Sequence, residues 1–338
     1  GRAFEGRITV TVYRPDGAGP HPLALVAHGR GGPAEREAPA RQRHEALARY
    51  LVSKGFVVAV PTRLGYGSSA AVGDPEHSGG CNALDPGAMA RAAADQLQQV
   101  AQAAAGWPGV DARRWIAVGQ SVGGLAVLEL ATRRAPGLTA VLNFAGGAGR
   151  DPSQPVGVSC QPERLAAWWG RPQGAAGAVP TLWLYWANDR FWGPEWPARW
   201  VRAWQDGGGQ AQWQPLPASG EDGHFGLSRD MNGWVPLAEA FLARYGFTRS
   251  GLVERPAASG HAALDDVQAV PAGPMARKLY AERFLTAATP RAFALGPEGA
   301  SGWARGDWAA GHALGFCQRG RGVRCRLYAV DDEVVWVP

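Results

Sequence analysis

Ser121 stands in Gly119-Gln-Ser-Val-Gly123, a Gly-x-Ser-x-Gly spacing. A serine hydroxyl is a weak nucleophile at its own pKa, so it attacks only when a general base takes its proton and a carboxylate fixes that base's tautomer. Flanking glycines let two backbones close around a sharp turn and leave the hydroxyl standing above a sheet. In a chain with 47 glycines the pentapeptide also fits a plain strand-to-helix turn with an incidental serine, and its neighbours must decide. Trp115 to Val118 has the pattern of a short buried strand, and Val122 to Thr132 is an unbroken run of helix formers with apolar residues at helical spacing.

Of the seven histidines, His21, His28, His44 and His77 precede the serine, and His261 and His312 lie far towards the carboxyl end. Only His224 occupies a loop after a late strand pattern, and it is the candidate base. Asp189 follows a strand directly and is the candidate orienting acid. Glu195, Asp206 and Asp222 read as helix caps or surface charges. A second Gly-rich loop, His28-Gly-Arg-Gly-Gly32, comes just after another buried strand. It is placed to turn the backbone N–H of Arg30 towards the hydroxyl, with the N–H of Val122 as the second oxyanion donor. Its bland reading is a simple turn.

These residues need elements to hold them. Phe4 to Tyr13 alternates like an edge strand, Pro22 to His28 and Phe56 to Pro61 read as buried strands, and Glu35 to Lys54 reads as a helix between them. Asp85 is placed to cap an Ala-rich helix from Pro86 to Ala105. Strands follow at Leu138 to Ala145, Pro180 to Ala187 and Gln210 to Pro217, with helices at Glu195 to Asp206 and Trp234 to Tyr245. Strand and helix alternate, which predicts a mostly parallel, doubly wound α/β sheet. Loops leaving the carboxyl ends of such strands line the ligand crevice, making Arg63 and Tyr66 candidate wall residues. Trp186 and Trp192, beside Asp189, are candidates for an aromatic acyl or alcohol pocket, although core packing accounts for most of the 15 tryptophans.

Residues 1–247 form the expected catalytic domain, with a Pro- and Gly-rich cap over 148–178. A linker over 248–263 leads to a small α+β domain at 264–338. There the pattern gives a helix near Met275 to Ala287, a strand at Arg291 to Leu295, a helix at Ala309 to Gln318 and a final hairpin from Cys325. The formal charge of +5 is almost all scattered arginine, without a basic run, which argues against nucleic acid and anionic membrane as partners. No apolar stretch is long enough to span a bilayer. Four cysteines fit two disulfides, Cys81 with Cys160 and Cys317 with Cys325, each pair within one domain; four buried thiols in a reducing compartment are the alternative. No metal-ligand spacing occurs, and neither metal nor cofactor is expected.

Through His28-Gly-Arg-Gly-Gly32, Gly119-Gln-Ser-Val-Gly-Gly124, Asn188-Asp189 and Asp222-Gly-His224, residues 1 to about 247 resemble an α/β-hydrolase of the dienelactone-hydrolase-like group. The resemblance implies hydrolysis of carboxylic esters through an acyl-enzyme. It departs in the nucleophile: the group's name enzyme carries cysteine where this chain has Ser121, so dienelactone itself is an unsafe substrate guess. The final segment is similar to small disulfide-linked modules of bacterial envelope proteins, with no implied chemistry and an unknown partner. A periplasmic or secreted serine carboxylester hydrolase acting on a small-molecule or polymer ester is the leading expectation. Two others stand beside it: a serine peptidase or amidase of the prolyl-oligopeptidase type, and a non-catalytic envelope binding protein on a hydrolase scaffold.

Overall fold

The structure, a computed structural model, describes residues 4–150, 155–174, 177–319 and 323–338. The chain divides into two compact units, residues 1–229 with 233–251, and residues 230–232 with 252–338.

The first unit is built on seven strands: β1 (Thr9–Tyr13), β2 (His21–Ala27), β3 (Val57–Thr62), β4 (Val110–Gln120), β5 (Leu138–Phe144), β6 (Thr181–Trp186) and β7 (Ala211–Leu216). Their order across the sheet is β1-β3-β2-β4-β5-β6-β7. Only β1 runs antiparallel, against β3; every other pairing is parallel. Strand β4, which delivers Ser121, therefore lies at the centre, and its register against β2 sets Gly119 opposite Ala27. This is the α/β-hydrolase arrangement.

The helices of this unit are α1 (Pro33–Glu37), α2 (Glu45–Ser53), α3 (Pro86–Ala104), α4 (Val122–Arg133), α5 (Pro162–Trp169), α6 (Glu195–Asp206), the single turn α7 (Gly226–Arg229) and α8 (Met231–Arg244). Alternate strand residues face opposite ways. Leu23, Leu25, Ala117, Val141 and Trp183 join a core with α3 to α6. On the other face, Phe144 meets Trp234 of α8, and Trp234 meets Tyr50 of α2. The side chain of Asp85 accepts a hydrogen bond from Ala88 N, capping α3.

The helix expected from Glu35 to Lys54 is two helices. Pro39 disfavours helical backbone at the preceding residue, and Ala38 is extended at ψ 134°. The intervening chain is held elsewhere, since Gln42 donates to Thr62 Oγ1 and its carbonyl accepts from Thr11 Oγ1. The expected cap contains α5, which opens on Pro162 and packs Leu165 and Trp169 into the core; its residues 151–154 and 175–176 lie outside the described residues. Cys81 and Cys160 are bonded, with Cα atoms 5.1 Å apart, and tie the loop before α3 to the segment before α5.

The second unit holds a four-stranded antiparallel sheet in the order β11-β10-β8-β9, from β8 (Arg291–Leu295), β9 (Ser301–Arg305), β10 (Arg326–Val330) and β11 (Glu333–Val334). Helix α9 (Pro274–Leu279) continues into one π-helical turn at Tyr280–Phe284, and α10 (Ala309–Gln318) packs on β8 and β9. Strand β9 is additional to the sequence expectation. Part of the expected linker is structured in this unit: Val253 packs against its core, and Ser259 N donates to Val334 O. Cys317 and Cys325 are bonded here. No described helix is long and apolar enough to cross a membrane.

Candidate functional site

Ser121 sits at φ 56°, ψ −124°, between the end of β4 and the first residue of α4. Few non-glycine residues adopt positive φ, and three contacts hold this one there. Ser121 N donates to Phe144 O at 3.1 Å, and its own carbonyl accepts from Leu125 N and Gly147 N, each at 3.1 Å. The flanking glycines are required sterically: a Cβ on Gly119 would strike the carbonyl oxygen of Gly123, and one on Gly123 would strike that of Ala27. The neighbouring β2 loop approaches less tightly, since a Cβ on Gly29 would lie 3.2 Å from Ser121 Cβ.

That loop is oriented from behind. Gly29 O accepts from His28 Nδ1 at 2.7 Å and from Arg63 Nη2 at 3.4 Å. In a trans peptide the N–H points opposite to the C=O, so the Arg30 N–H is directed away from Arg63. Arg63 Nη1 also donates to His28 O at 2.7 Å, while its Nε and Nη2 pair with Glu76. Both members of that pair are fully buried. Arg63 N donates to His28 Nε2 at 3.2 Å, which leaves Nδ1 to carry the ring proton. Burial first, then the Arg63 charge, hold His28 well below the usual histidine range, so it is neutral. Among the described residues neither Arg30 N nor Val122 N donates to another group, and Val122 N lies at the positive end of α4.

Asp189 and His224 are brought together from the ends of β6 and β7. His224 Nδ1 lies 3.0 Å from Asp189 Oδ2, with both side chains buried. Asp189 Oδ1 accepts from Phe191 N at 2.7 Å and Trp192 N at 3.1 Å, so both carboxylate oxygens are used. The imidazole is boxed by aromatic rings. Phe191 stacks on it at 3.8 Å and 10°, and Trp192 and Phe225 meet it edge-on at 5.4 and 5.7 Å. Asp222 Oδ1 accepts from His224 N and Arg190 N, which makes it the cap of the histidine turn. Gln120 Nε2 donates to His224 O at 2.6 Å, binding the histidine turn to the residue before Ser121.

Ser121, His224, Arg30 and Val122 line one cavity of about 1190 Å³. Neither Ser121 Oγ nor His224 Nε2 has a hydrogen-bond partner among the described residues. Tyr66 and Trp192 also line the cavity. Two expected wall residues do not. Arg63 is fully buried behind the loop after β2 because Glu76 and three carbonyl and ring acceptors satisfy it there. Trp186 is buried beneath the histidine turn, where Gly223 and Gly226 lie so close to it that a Cβ on either would strike its side chain. Gln120, Glu76, Phe191 and Phe225 were not singled out by sequence. Gln120, beside the serine, is the one whose position carried a signal.

No family model matches the chain, and no curated protein matches it. Among solved structures, a protein assigned as a dienelactone hydrolase from Klebsiella pneumoniae is similar over 71% of this chain and 100% of its own, at 19% identity and a TM-score of 0.47. A thermophilic esterase from Thermogutta terrifontis with propionate bound covers 71% and 90%, at 17% identity and 0.45. A Butyrivibrio proteoclasticus protein with ferulic acid bound covers 70% and 95%, at 14% identity and 0.46.

Proposed function

We propose that this chain is a serine hydrolase of carboxylic esters that works through an acyl-enzyme, with Ser121 as nucleophile, His224 as general base and Asp189 as orienting acid. The observation that carries the reading is the buried Asp189–His224 hydrogen bond of 3.0 Å opening onto the cavity that contains Ser121 at its strained turn. Asp189 holds the proton of His224 on Nδ1, which leaves Nε2 as the basic nitrogen. Ser121 Oγ adds to the ester carbonyl carbon as its proton passes to Nε2; catalytic hydrogen bonds that are open in a free enzyme close in the substrate complex. The oxygen that becomes negative receives the N–H groups of Arg30 and Val122. Collapse breaks the bond to the alcohol oxygen, which takes the proton from Nε2. Water then repeats the sequence on the acyl-serine, returning the acid and free Ser121.

The two disulfides support an oxidising compartment, periplasmic or extracellular, for this activity. The test of the reaction class is a panel of p-nitrophenyl esters of increasing chain length, aryl esters and aminoacyl amides. Turnover of esters with amides left intact is expected. Cleavage confined to amides would assign the same residues to a peptidase or amidase, and no turnover of any member would leave a binding protein.

A further inference from the structure

The cavity around Ser121 has two unlike ends. On the β6 and β7 side it is aromatic, with Phe191, Trp192 and Phe225 around His224. On the far side, beyond the β2 loop, it is polar, and there Tyr66 enters from the loop after β3. Strand β3 lies two places from β4, roughly 10 Å across the sheet at the usual spacing.

Tyr66 is held at every point except its hydroxyl. Its carbonyl accepts from Ser69 N at 3.0 Å and Ser69 Oγ at 2.9 Å. Its ring meets the ring of His28 at 4.6 Å and 76°, with the guanidinium groups of Arg63 and Arg36 at 5.8 and 5.9 Å from its centroid. The residue is 3% exposed, and Tyr66 Oη has no hydrogen-bond partner among the described residues. Nearly all buried polar groups in folded proteins are paired, and an unpaired one is costly. A phenylalanine would fill the same volume without that cost, and because Tyr66 lines the cavity its hydroxyl is available to a ligand there. Burial pushes the Tyr66 phenol up to about 12, so it offers a proton at any working pH. His44 Nε2, also on this wall, is a second buried polar atom without a partner.

We infer that Tyr66 is a specificity-determining residue whose phenol donates a hydrogen bond to an oxygen carried by the acyl group of the substrate, beyond the scissile ester. The inference rests on the hydrolase reading. In that reading His224 protonates the departing alcohol, so the alcohol occupies the aromatic end beside it, and the acyl group is left the end that Tyr66 lines. The ligand class is an ester of an ether-, keto- or hydroxy-substituted acid in preference to a plain alkanoate.

The probes are three pairs of p-nitrophenyl esters of equal length: methoxyacetate with butanoate, 3-methoxypropanoate with pentanoate, and 4-methoxybutanoate with hexanoate. Each pair gives a ratio of kcat/KM, ether over alkanoate, divided by the same ratio for alkaline hydrolysis. In the wild-type protein that corrected ratio should peak at one oxygen position. In Tyr66→Phe the peak should fall about five- to ten-fold, the worth of one neutral hydrogen bond. The melting temperature should not fall, because no hydrogen bond within the protein is lost. A flat wild-type series overturns the inference without recourse to any variant, and so does a peak that survives Tyr66→Phe within two-fold. Equal losses on ether and alkanoate esters overturn it as well, by placing Tyr66 on atoms that all esters share. A wild-type protein that cleaves none of the six esters defeats the hydrolase reading instead.

Discussion

Gln120 Nε2 donates to the backbone carbonyl of His224 at 2.6 Å, so the residue before Ser121 holds the turn that carries His224. The two groups arrive from β4 and β7, with β5 and β6 between them, and this bond spans that gap directly. Gln120→Leu should keep the fold and lower kcat by about ten-fold or more with little change in KM, since a small misplacement of a catalytic group is expensive in rate. Steady-state kinetics beside a thermal melt reads both. An unchanged kcat would show that the histidine turn is positioned without Gln120.

Arg63 and Glu76 are predicted to fail singly and to recover in part together. Arg63→Met leaves Glu76 as an uncompensated buried carboxylate, costing about 3–5 kcal/mol. The double variant Arg63→Met with Glu76→Leu should regain much of that stability. Its kcat should stay low, because Gly29 O has lost its 3.4 Å contact with Arg63 and the Arg30 N–H is less firmly aimed. Denaturant unfolding and kcat, measured on all three variants, separate the two effects. Full recovery of kcat in the double variant would remove Arg63 from the orientation of the loop.

These two residues also mark how far the sequence could be read. The sharp turn at Ser121, the sheet and the positions of Asp189 and His224 after β6 and β7 were legible because each has a local signal: a glycine spacing, an apolar run, a residue past a strand end. Arg63 was expected on the cavity wall because it follows a strand. It is buried instead because Glu76, thirteen residues on in another part of the loop, neutralises it, and no spacing announces which carboxylate will do so. Trp186 and Trp192 looked equivalent beside Asp189. Strand alternation turns Trp186 under the histidine turn, while Trp192 lies past the strand end, where its Nε1 reaches Ala145 O at 2.7 Å. Local signals were available for two of the misses. Ala38-Pro39 breaks the expected long helix, and Pro162 opens α5 in the way proline opens helices.

Histidines 28 and 44 give the folded chain an acid-side weakness. Burial and the Arg63 charge hold His44 down to about 4, and His28 well below its usual range. The unfolded chain therefore binds more protons than the folded one between about pH 6.5 and pH 4. Stability should be fully present above pH 6.5 and decline as the pH falls through that window. Melting temperatures of the wild type and of His44→Gln across it should converge towards pH 4. Parallel curves would exclude His44 as a source of the decline.

Cys81 and Cys160 both line the cavity and close a loop of 79 residues. The chain-entropy account assigns such a crosslink about 4.5 kcal/mol. Replacing both with serine should lower stability by an amount of that order and reduce activity, whereas the 8-residue loop between Cys317 and Cys325 should contribute less. Alkylation of the native protein under denaturing, non-reducing conditions should find no free thiol, and four modified cysteines would contradict both bonds.

The central claim is that Ser121 is acylated, and active-site labelling tests it most directly. A fluorophosphonate probe followed by peptide mass analysis should modify the wild-type protein once, on Ser121. Ser121→Ala should take up no label and lose about 10⁴-fold or more in kcat while keeping its melting temperature. Stoichiometric label on another serine, or undiminished ester hydrolysis by folded Ser121→Ala, would contradict the account.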